Sequence, residues 1–323
     1  MASITFEGNS YRCDEGQSVL DVLLAQGVAA PHSCRSGSCQ SCMMRVETGE
    51  LPASSQAGIK ETLRVQGYFL PCICRPGDDL TIARPDTDTM RLEATVSHVT
   101  ALSDHVVCVG LSSQTPISYR PGQFINIFKD DATARSYSLA SVPDMDGELR
   151  LHVRRFANGQ VSTWIHDALR PGDRVRLSPP AGDCFYLPGQ PEQPLLLIGT
   201  GTGLAPLYGI VRDALAQGHR GPIQLYHGSR EPAGLYLVER LQDLAQRYAN
   251  FRYFPCLSGS EVPDGFLPGR ALDLALSHAP ELSGWRIYLC GNPDMVKLAR
   301  KRAFLAGASM REIHSDAFTH QAA

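Results

Sequence analysis

The chain is 323 residues long, more than one hydrophobic core usually serves, so two or three domains are expected and a single small module is excluded. Hydrophobic residues make up 43% and charged residues 20%, with 29 Gly and 22 Pro, a composition suited to globular cores joined by many turns. The net charge is only −3 and no long basic run occurs, which speaks against nucleic acid as a partner. The chain has no stretch of about 18 apolar residues and no export signal in its opening MASITFEGNS, so no membrane span is expected and a cytoplasmic setting is the simplest.

Residues 1–90 carry 7 basic and 11 acidic side chains, a net of −4, against +1 for the remainder. The polar stretch RPDTDTM (84–90) has no apolar periodicity and reads as the linker that ends this acidic unit. Within the unit, Cys34, Cys39 and Cys42 are spaced C-x4-C-x2-C in HSCRSGSCQSC, and Cys72 follows in FLPCIC. Thiolates are soft metal ligands, and disulfides add little within so short a loop. A structural zinc site usually shows two close C-x2-C pairs, and only one is present. The spacing is that of a plant-type [2Fe-2S] centre, whose ligand loop must curl around the metal; Gly37 and the small serines permit the curl. Cys74 competes with Cys72 as fourth ligand, because an extended segment puts both on one face. Cys13, Cys108, Cys184 and Cys256 read as small core residues.

From residue 92 to about 188, short β-type runs (HVVCVGL, QFINIF, SYSLAS, ELRLHVRR) alternate with turn signals such as RPGQ and RPGD, predicting a small antiparallel barrel. In RSYSLAS, Arg135, Tyr137 and Leu139 fall on one face and Ser136, Ser138 and Ala140 on the other. Arg suits a phosphate, Tyr a planar ring and Ser a ring nitrogen. In NGQVSTWIHDAL a turn becomes a helix between Gly159 and Ser162, and the free N–H groups of such a start suit a pyrophosphate. The Pro-rich LPGQPEQP marks a second boundary.

Strand-like and helix-like runs then alternate: LLLIG, APLYGIVRDALAQG, IQLYHG, GLYLVERLQDLAQRY, FRYFPC, WRIYLCG and DMVKLARKRAFLAG. This order predicts a parallel sheet covered by helices. LLLIGTGTGLAP runs a strand through Gly199, Thr200, Gly201, Thr202 and Gly203 into a helix carrying Pro206 near its start, a G-x-G-x-G pattern distinct from G-x-G-x-x-G. YLCGNPDMV makes a second glycine turn with Cys290, Gly291, Pro293 and Met295. Two such turns at one sheet edge form a crevice for a dinucleotide.

Taken in order, these motifs resemble the ferredoxin-NADP reductase superfamily in its three-domain form, the reductase component of bacterial multicomponent oxygenases. The resemblance spans almost the whole chain. It implies a multidomain protein: a β-grasp (α+β) [2Fe-2S] ferredoxin at 1–88, an antiparallel β-barrel binding FAD at 91–188, and an α/β parallel-sheet domain binding NAD(P) at 193–323. It selects Cys72, preceded by Leu70-Pro71 as the family's fourth ligand is by Leu-x, and so implies metal ligands Cys34, Cys39, Cys42 and Cys72. The family's R-x-Y-S strand and G-x-x-S helix start imply flavin contacts from Arg135, Ser136, Tyr137, Ser138, Val153, Gly159, Gln160, Val161 and Ser162. Its G-x-G-x-G-x-x-P and C-G-x-P-x-M turns imply nicotinamide-nucleotide contacts from Gly199 to Gly203, Pro206, Cys290, Gly291, Pro293 and Met295.

EIHSDAF resembles the family's acidic-x-aromatic terminal element, with Asp316 and Phe318 in those places and the aromatic covering the flavin; five further residues make the match looser. Ser138, Cys290 and Asp316 then surround the hydride path. NADP-dependent relatives place Ser-Arg after the third strand; here Ser258 is followed by Gly259 with Glu261 nearby, which favours NADH, while Arg230 keeps NADPH open. The function implied is a monomeric NADH-dependent reductase that feeds electrons through FAD and a [2Fe-2S] cluster to a terminal oxygenase of Rieske, diiron or heme-thiolate type. The same build also serves deoxysugar dehydratases. From another class, a redox carrier or sensor with a vestigial nucleotide domain is the rival.

Overall fold

A computed structural model of the chain describes residues 2–30, 32, 35–37, 42–85, 92–130 and 133–318. The chain divides into two compact units, Met1–Thr89 and Met90–Ala323.

In the first unit, β1 (Ala2–Phe6), β2 (Asn9–Cys13), β3 (Met44–Thr48), β4 (Tyr68–Phe69) and β5 (Leu80–Ala83) form one sheet in the order β2-β1-β5-β3-β4. Only the β1–β5 pair is parallel, the mixed topology of a β-grasp. Helix α1 (Val19–Ala25) buries Val19, Leu20, Val22 and Leu23 in the core with Ile4, Phe6 and Phe69. The Ser18 hydroxyl accepts from the Asp21 N–H and so caps α1. A short helix, α2 (Glu61–Arg64), leads into β4.

The second unit opens with the expected antiparallel barrel. Strands β6 (Leu92–Ser103), β7 (Val106–Ser112), β8 (Phe124–Phe128), β9 (Ala134–Ser138), β10 (Leu149–Arg154) and β11 (Arg174–Leu177) follow the order β10-β7-β6-β11-β8-β9. A bridge between Leu139 and Leu151 joins the two ends of that order, closing the sheet around Val109, Ile125, Ile127 and Leu151. Helix α3 (Pro143–Asp146) precedes β10, and α4 (Gln160–Asp167) packs Val161 and Ile165 into the barrel.

The last sheet is parallel throughout: β12 (Leu195–Thr200), β13 (Ile223–Ser229), β14 (Phe251–Leu257), β15 (Leu267–Pro268), β16 (Arg286–Gly291) and β17 (Ile313–Ala317), ordered β15-β14-β13-β12-β16-β17. Its central strands read as apolar runs because both faces are covered, by α5 (Leu204–Ala216) and α6 (Val238–Arg247) on one core and α7 (Ala271–His278) and α8 (Pro293–Leu305) on the other.

One expectation of the sequence needs correction here. GLYLVERLQDLAQRY is helical only from Val238, because Leu235 and Tyr236 are spent on core packing and Leu237 takes a left-handed φ of 58°. EIHSDAF, read as the terminal acidic-x-aromatic element, supplies β17, the five residues after Glu312 pairing in parallel with β16.

Candidate functional site

In the first unit, Cys34 and Cys39 lie outside the described residues, whereas Cys42, Cys72 and Cys74 are all buried. The segment from Leu70 to Cys74 is not extended. Ile73 and Cys74 both donate their N–H to the Leu70 carbonyl, making a tight turn that α1 fixes by donating from Val19 to the Cys74 carbonyl and from Leu20 to that of Pro71. The turn separates the two cysteines that an extended chain would have aligned. Cys72 lies against Cys42, while Cys74 points to the Ser55 hydroxyl and Cys13. Burial pushes the Cys42 thiol up to about 11, with Cys72 beside it, and the Cys74 thiol up to about 12. Gly37, at φ +81°, sits so close to Ile73 that an added Cβ would lie 2.8 Å from its Cδ1, so Gly37 closes down on the Cys72 turn. Two adjoining thiols, Cys42 and Cys72, beside the turn that Gly37 meets suit a thiolate-held metal cluster.

In the second unit, β9 pairs antiparallel with β8, which sets Ser138 opposite Phe124, Tyr137 opposite Ile125 and Ser136 opposite Asn126. Arg135 and Ser136 are exposed, Tyr137 is half-buried against the barrel core and Ser138 is buried. The Ser136 hydroxyl donates to Asn126 Oδ1 at 2.6 Å. The Ser138 hydroxyl donates to Asp316 Oδ2 at 2.7 Å, joining barrel and parallel sheet. Burial, reinforced by Asp183, pushes the Asp316 carboxyl above its usual range against the opposing effect of the Ser138 bond.

At the start of α4 the Ser162 hydroxyl accepts from the Phe156 N–H, and an added Cβ on Gly159 would overlap that hydroxyl. A shallow depression of about 400 Å³ opens there between Gly159, Gln160, Asn158, Thr163, Trp164 and Lys129. Lys129 was not read from the sequence; its signal is a cation immediately after a barrel strand. Val153 and Val161 are sealed in the barrel core, so only their backbone can face a ligand.

The two glycine turns touch. Gly203 packs against the Cys290 carbonyl so tightly that a Cβ would overlap it, and a Cβ on Gly291 (φ +118°) would come within 2.6 Å of Thr200 Oγ1. Thr200 Oγ1 also accepts from the Asn292 N–H at 3.1 Å, and the Asn292 side chain caps α8 by accepting from Asp294 and Met295. Gly201 to Gly203 form one tight 3-10 turn before α5, in whose first turn Pro206 is buried. Gly199 packs against Leu207, so Gly199, Gly203 and Gly291 spend their missing Cβ on close backbone packing. At Gly201, among the described residues, an added Cβ would meet only a side chain, Arg154, at 3.5 Å. The turns thus offer helix-start N–H groups at the carboxyl edge of a parallel sheet, which fits a dinucleotide pyrophosphate.

Cys290 is wholly buried, its Sγ 3.8 Å from Cys184 Sγ, and burial together with that neighbour drives its thiol far up. Pro293 and Met295 are half-buried, Met295 packing into the core under α8. The Phe318 N–H donates to the Gly291 carbonyl at 2.8 Å, which ties the acidic-x-aromatic element to the second turn. Arg230 and Ser258 are exposed, and the Arg230 carbonyl accepts from the Gly259 N–H.

These features define a flavoprotein reductase with an iron-sulfur domain. Residues 4–77 match the 2Fe-2S iron-sulfur cluster binding domain, 93–186 the oxidoreductase FAD-binding domain and 197–301 the oxidoreductase NAD-binding domain. The chain is 36% identical to an aromatic O-demethylase reductase subunit from Amycolatopsis sp., over 98% of each chain. It is 33% identical to a ferredoxin–NAD(P)(+) reductase component of the naphthalene 1,2-dioxygenase/salicylate 5-hydroxylase systems from Ralstonia sp., over 94% of each. Among solved structures it is similar to the Amycolatopsis cytochrome P450 reductase GcoB, with a TM-score of 0.69, 34% identity and 99% of each chain covered. The chain belongs to this family of reductases with 2Fe-2S, FAD and NAD domains in that order. No helix among the described residues is long and apolar enough to cross a membrane.

Proposed function

We propose that the chain is the NADH-dependent reductase component of an oxygenase system, cytoplasmic and monomeric, and that it delivers electrons to a terminal oxygenase acting on an aromatic substrate. The observation that carries this reading is the Ser138–Asp316 hydrogen bond, which brings the flavin-domain strand and the C-terminal strand of the nucleotide sheet to one point beside the two glycine turns. Relatives named as reductase components of an aromatic O-demethylase, a naphthalene 1,2-dioxygenase/salicylate 5-hydroxylase system and a terephthalate 1,2-dioxygenase support the acceptor class.

FAD held by the barrel would supply two-electron hydride chemistry toward NADH, and a [2Fe-2S] cluster held by the first unit would supply one-electron chemistry. The chain's own residues bind and align. Arg135, Gly159, Gln160 and Ser162, with the backbone of Val153 and Val161, would hold the flavin phosphates and ribityl chain and Tyr137 would hold its ring, while Ser136 braces β9 through Asn126. Gly199, Thr200, Gly201, Thr202, Gly203 and Pro206 receive the pyrophosphate of NADH. Gly291, Pro293 and Met295 shape the nicotinamide side, where Cys290 and Phe318 set the ring's position. Ser138 places its hydroxyl proton toward Asp316, so a proton can be held at that seam. Cys34, Cys39, Cys42 and Cys72 hold the cluster. Ser258-Gly259, without a following Arg, supports NADH over NADPH.

The test is an anaerobic visible spectrum of purified protein titrated with NADH and, separately, NADPH, with iron and flavin analysis. Bleaching of flavin and iron-sulfur bands by NADH at lower concentration than NADPH is the expected result. Iron-sulfur absorbance that neither nucleotide bleaches would overturn the reading in favour of a carrier or sensor.

A further inference from the structure

His227, on β13, is completely buried and belongs to none of the motifs above. Its Nε2 lies 3.1 Å from the Gly201 carbonyl, and its Nδ1 lies 3.2 Å from the Tyr253 hydroxyl. A carbonyl can only accept, so Nε2 carries the proton and Nδ1 accepts from Tyr253, fixing one tautomer. Burial holds the imidazole pKa down to about 4, so the ring stays neutral and keeps this arrangement across the working pH range.

The contact falls on the one glycine of the first turn whose added Cβ would meet no backbone among the described residues. A peptide group is planar and trans, so its carbonyl and the N–H of the next residue point in opposite directions. Anchoring the Gly201 carbonyl, which also accepts from the Leu204 N–H, therefore aims the Thr202 N–H away from the protein core. The ring of His227 is itself braced edge-on by Tyr236 (centroids 5.7 Å apart, 89°), and the Tyr236 hydroxyl pairs with Nδ1 of His152 on barrel strand β10 at 3.1 Å. His152 is buried two residues before Arg154, the side chain that reaches Gly201 from the barrel.

We propose that His227 is a positioning residue for the dinucleotide: by holding the Gly201 carbonyl it presents the Thr202 N–H to the pyrophosphate of NADH, and the His152–Tyr236 pair keys that turn to the flavin barrel. The proposal rests on the NADH-dependent reading above.

Two measurements separate it from a merely structural role. In oxidised holoprotein, NAD+ affinity by calorimetry should fall about tenfold in His227→Leu, the loss of one charge-assisted hydrogen bond. The KM for NADH should rise by a similar factor, with kcat at saturating NADH and flavin content unchanged. His227→Gln, whose amide can donate from nearly the Nε2 position, should recover most of the affinity, and His227→Asn, too short to reach, should not. Unchanged affinity in His227→Leu, or a fall in kcat at constant KM, overturns the proposal. If His227→Leu does not fold, equal affinities of the Gln and Asn variants overturn it. Wild-type protein that NADH fails to bleach condemns the reductase reading itself, and the His227 role falls with it.

Discussion

Arg212 offers a quantitative test of how barrel and nucleotide sheet are held together. Its guanidinium, on α5, grips Asp146 at the end of α3 through two hydrogen bonds of 2.8 and 2.9 Å, and it lies 5.1 Å over the Tyr208 ring. The side chains are only 12% and 4% exposed, so solvent screens the pair little. Burial alone would raise the Asp146 carboxyl, but the bonds from Arg212 and from the Val142 N–H outweigh it and hold the group below the usual carboxylate range. Removing one partner of a buried pair costs roughly 3–5 kcal/mol. In Arg212→Met, Arg150 remains 2.9 Å from Asp146 and keeps it partly compensated, so a loss of about 2 kcal/mol is expected. Both tryptophans, Trp164 and Trp285, lie in the second unit, so their fluorescence in a urea titration reports on that unit. The folded-state pKa of Asp146 is depressed, so its contribution is present above the unfolded value and lost as pH falls through the folded one. The gap between wild type and variant should therefore narrow in acid. A loss below about 0.5 kcal/mol, or an undiminished loss in an Asp146→Asn background, would refute the reasoning and shift the effect to the Tyr208 contact.

Ser138→Ala should keep its flavin but slow flavin reduction by NADH about tenfold or more in stopped flow, because the seam loses its hydroxyl; unchanged rates would remove Ser138 from the hydride path. Burial raises the Asp316 carboxyl, so flavin reduction should fall as pH drops through a limb lying above the ordinary carboxylate range. Asp316→Asn should lack that limb, and a profile identical to wild type would count against the assignment. Cys72→Ser should lose the cluster in iron and visible-absorbance assays, whereas Cys74→Ser should retain it with lowered thermal stability. Retention by the first and loss by the second would reverse the ligand choice.

Much of this arrangement was legible in the residues because it depends on short-range patterns. The alternation in RSYSLAS set the two faces of β9, and the apolar run LLLIG before a glycine turn announced a buried parallel strand. What stayed hidden depends on contacts far apart in the chain. Cys72 and Cys74 are indistinguishable by spacing, and only the turn pinned by α1 sends them to different neighbours. His227 looked like any core residue of IQLYHG, since its role exists only once β13 lies beside β12 and the Gly201 carbonyl comes within reach. The Gly234–Leu237 stretch misled because its apolar residues fit a helical period while their side chains were committed to the barrel contact through Tyr236.

The position of β17 has a consequence for how the protein is made. Ser138 and Asp316 are 178 residues apart, and Asp316 reaches its place only by pairing in parallel with β16 at the sheet's edge. On a ribosome, which delivers domains from the N-terminus onward, the barrel strand with its Ser138 emerges complete long before the carboxylate that receives its proton. Chains interrupted before residue 316 therefore lack the carboxylate end of the Ser138–Asp316 hydrogen bond, and with it this tie between barrel and parallel sheet, even where the barrel has closed.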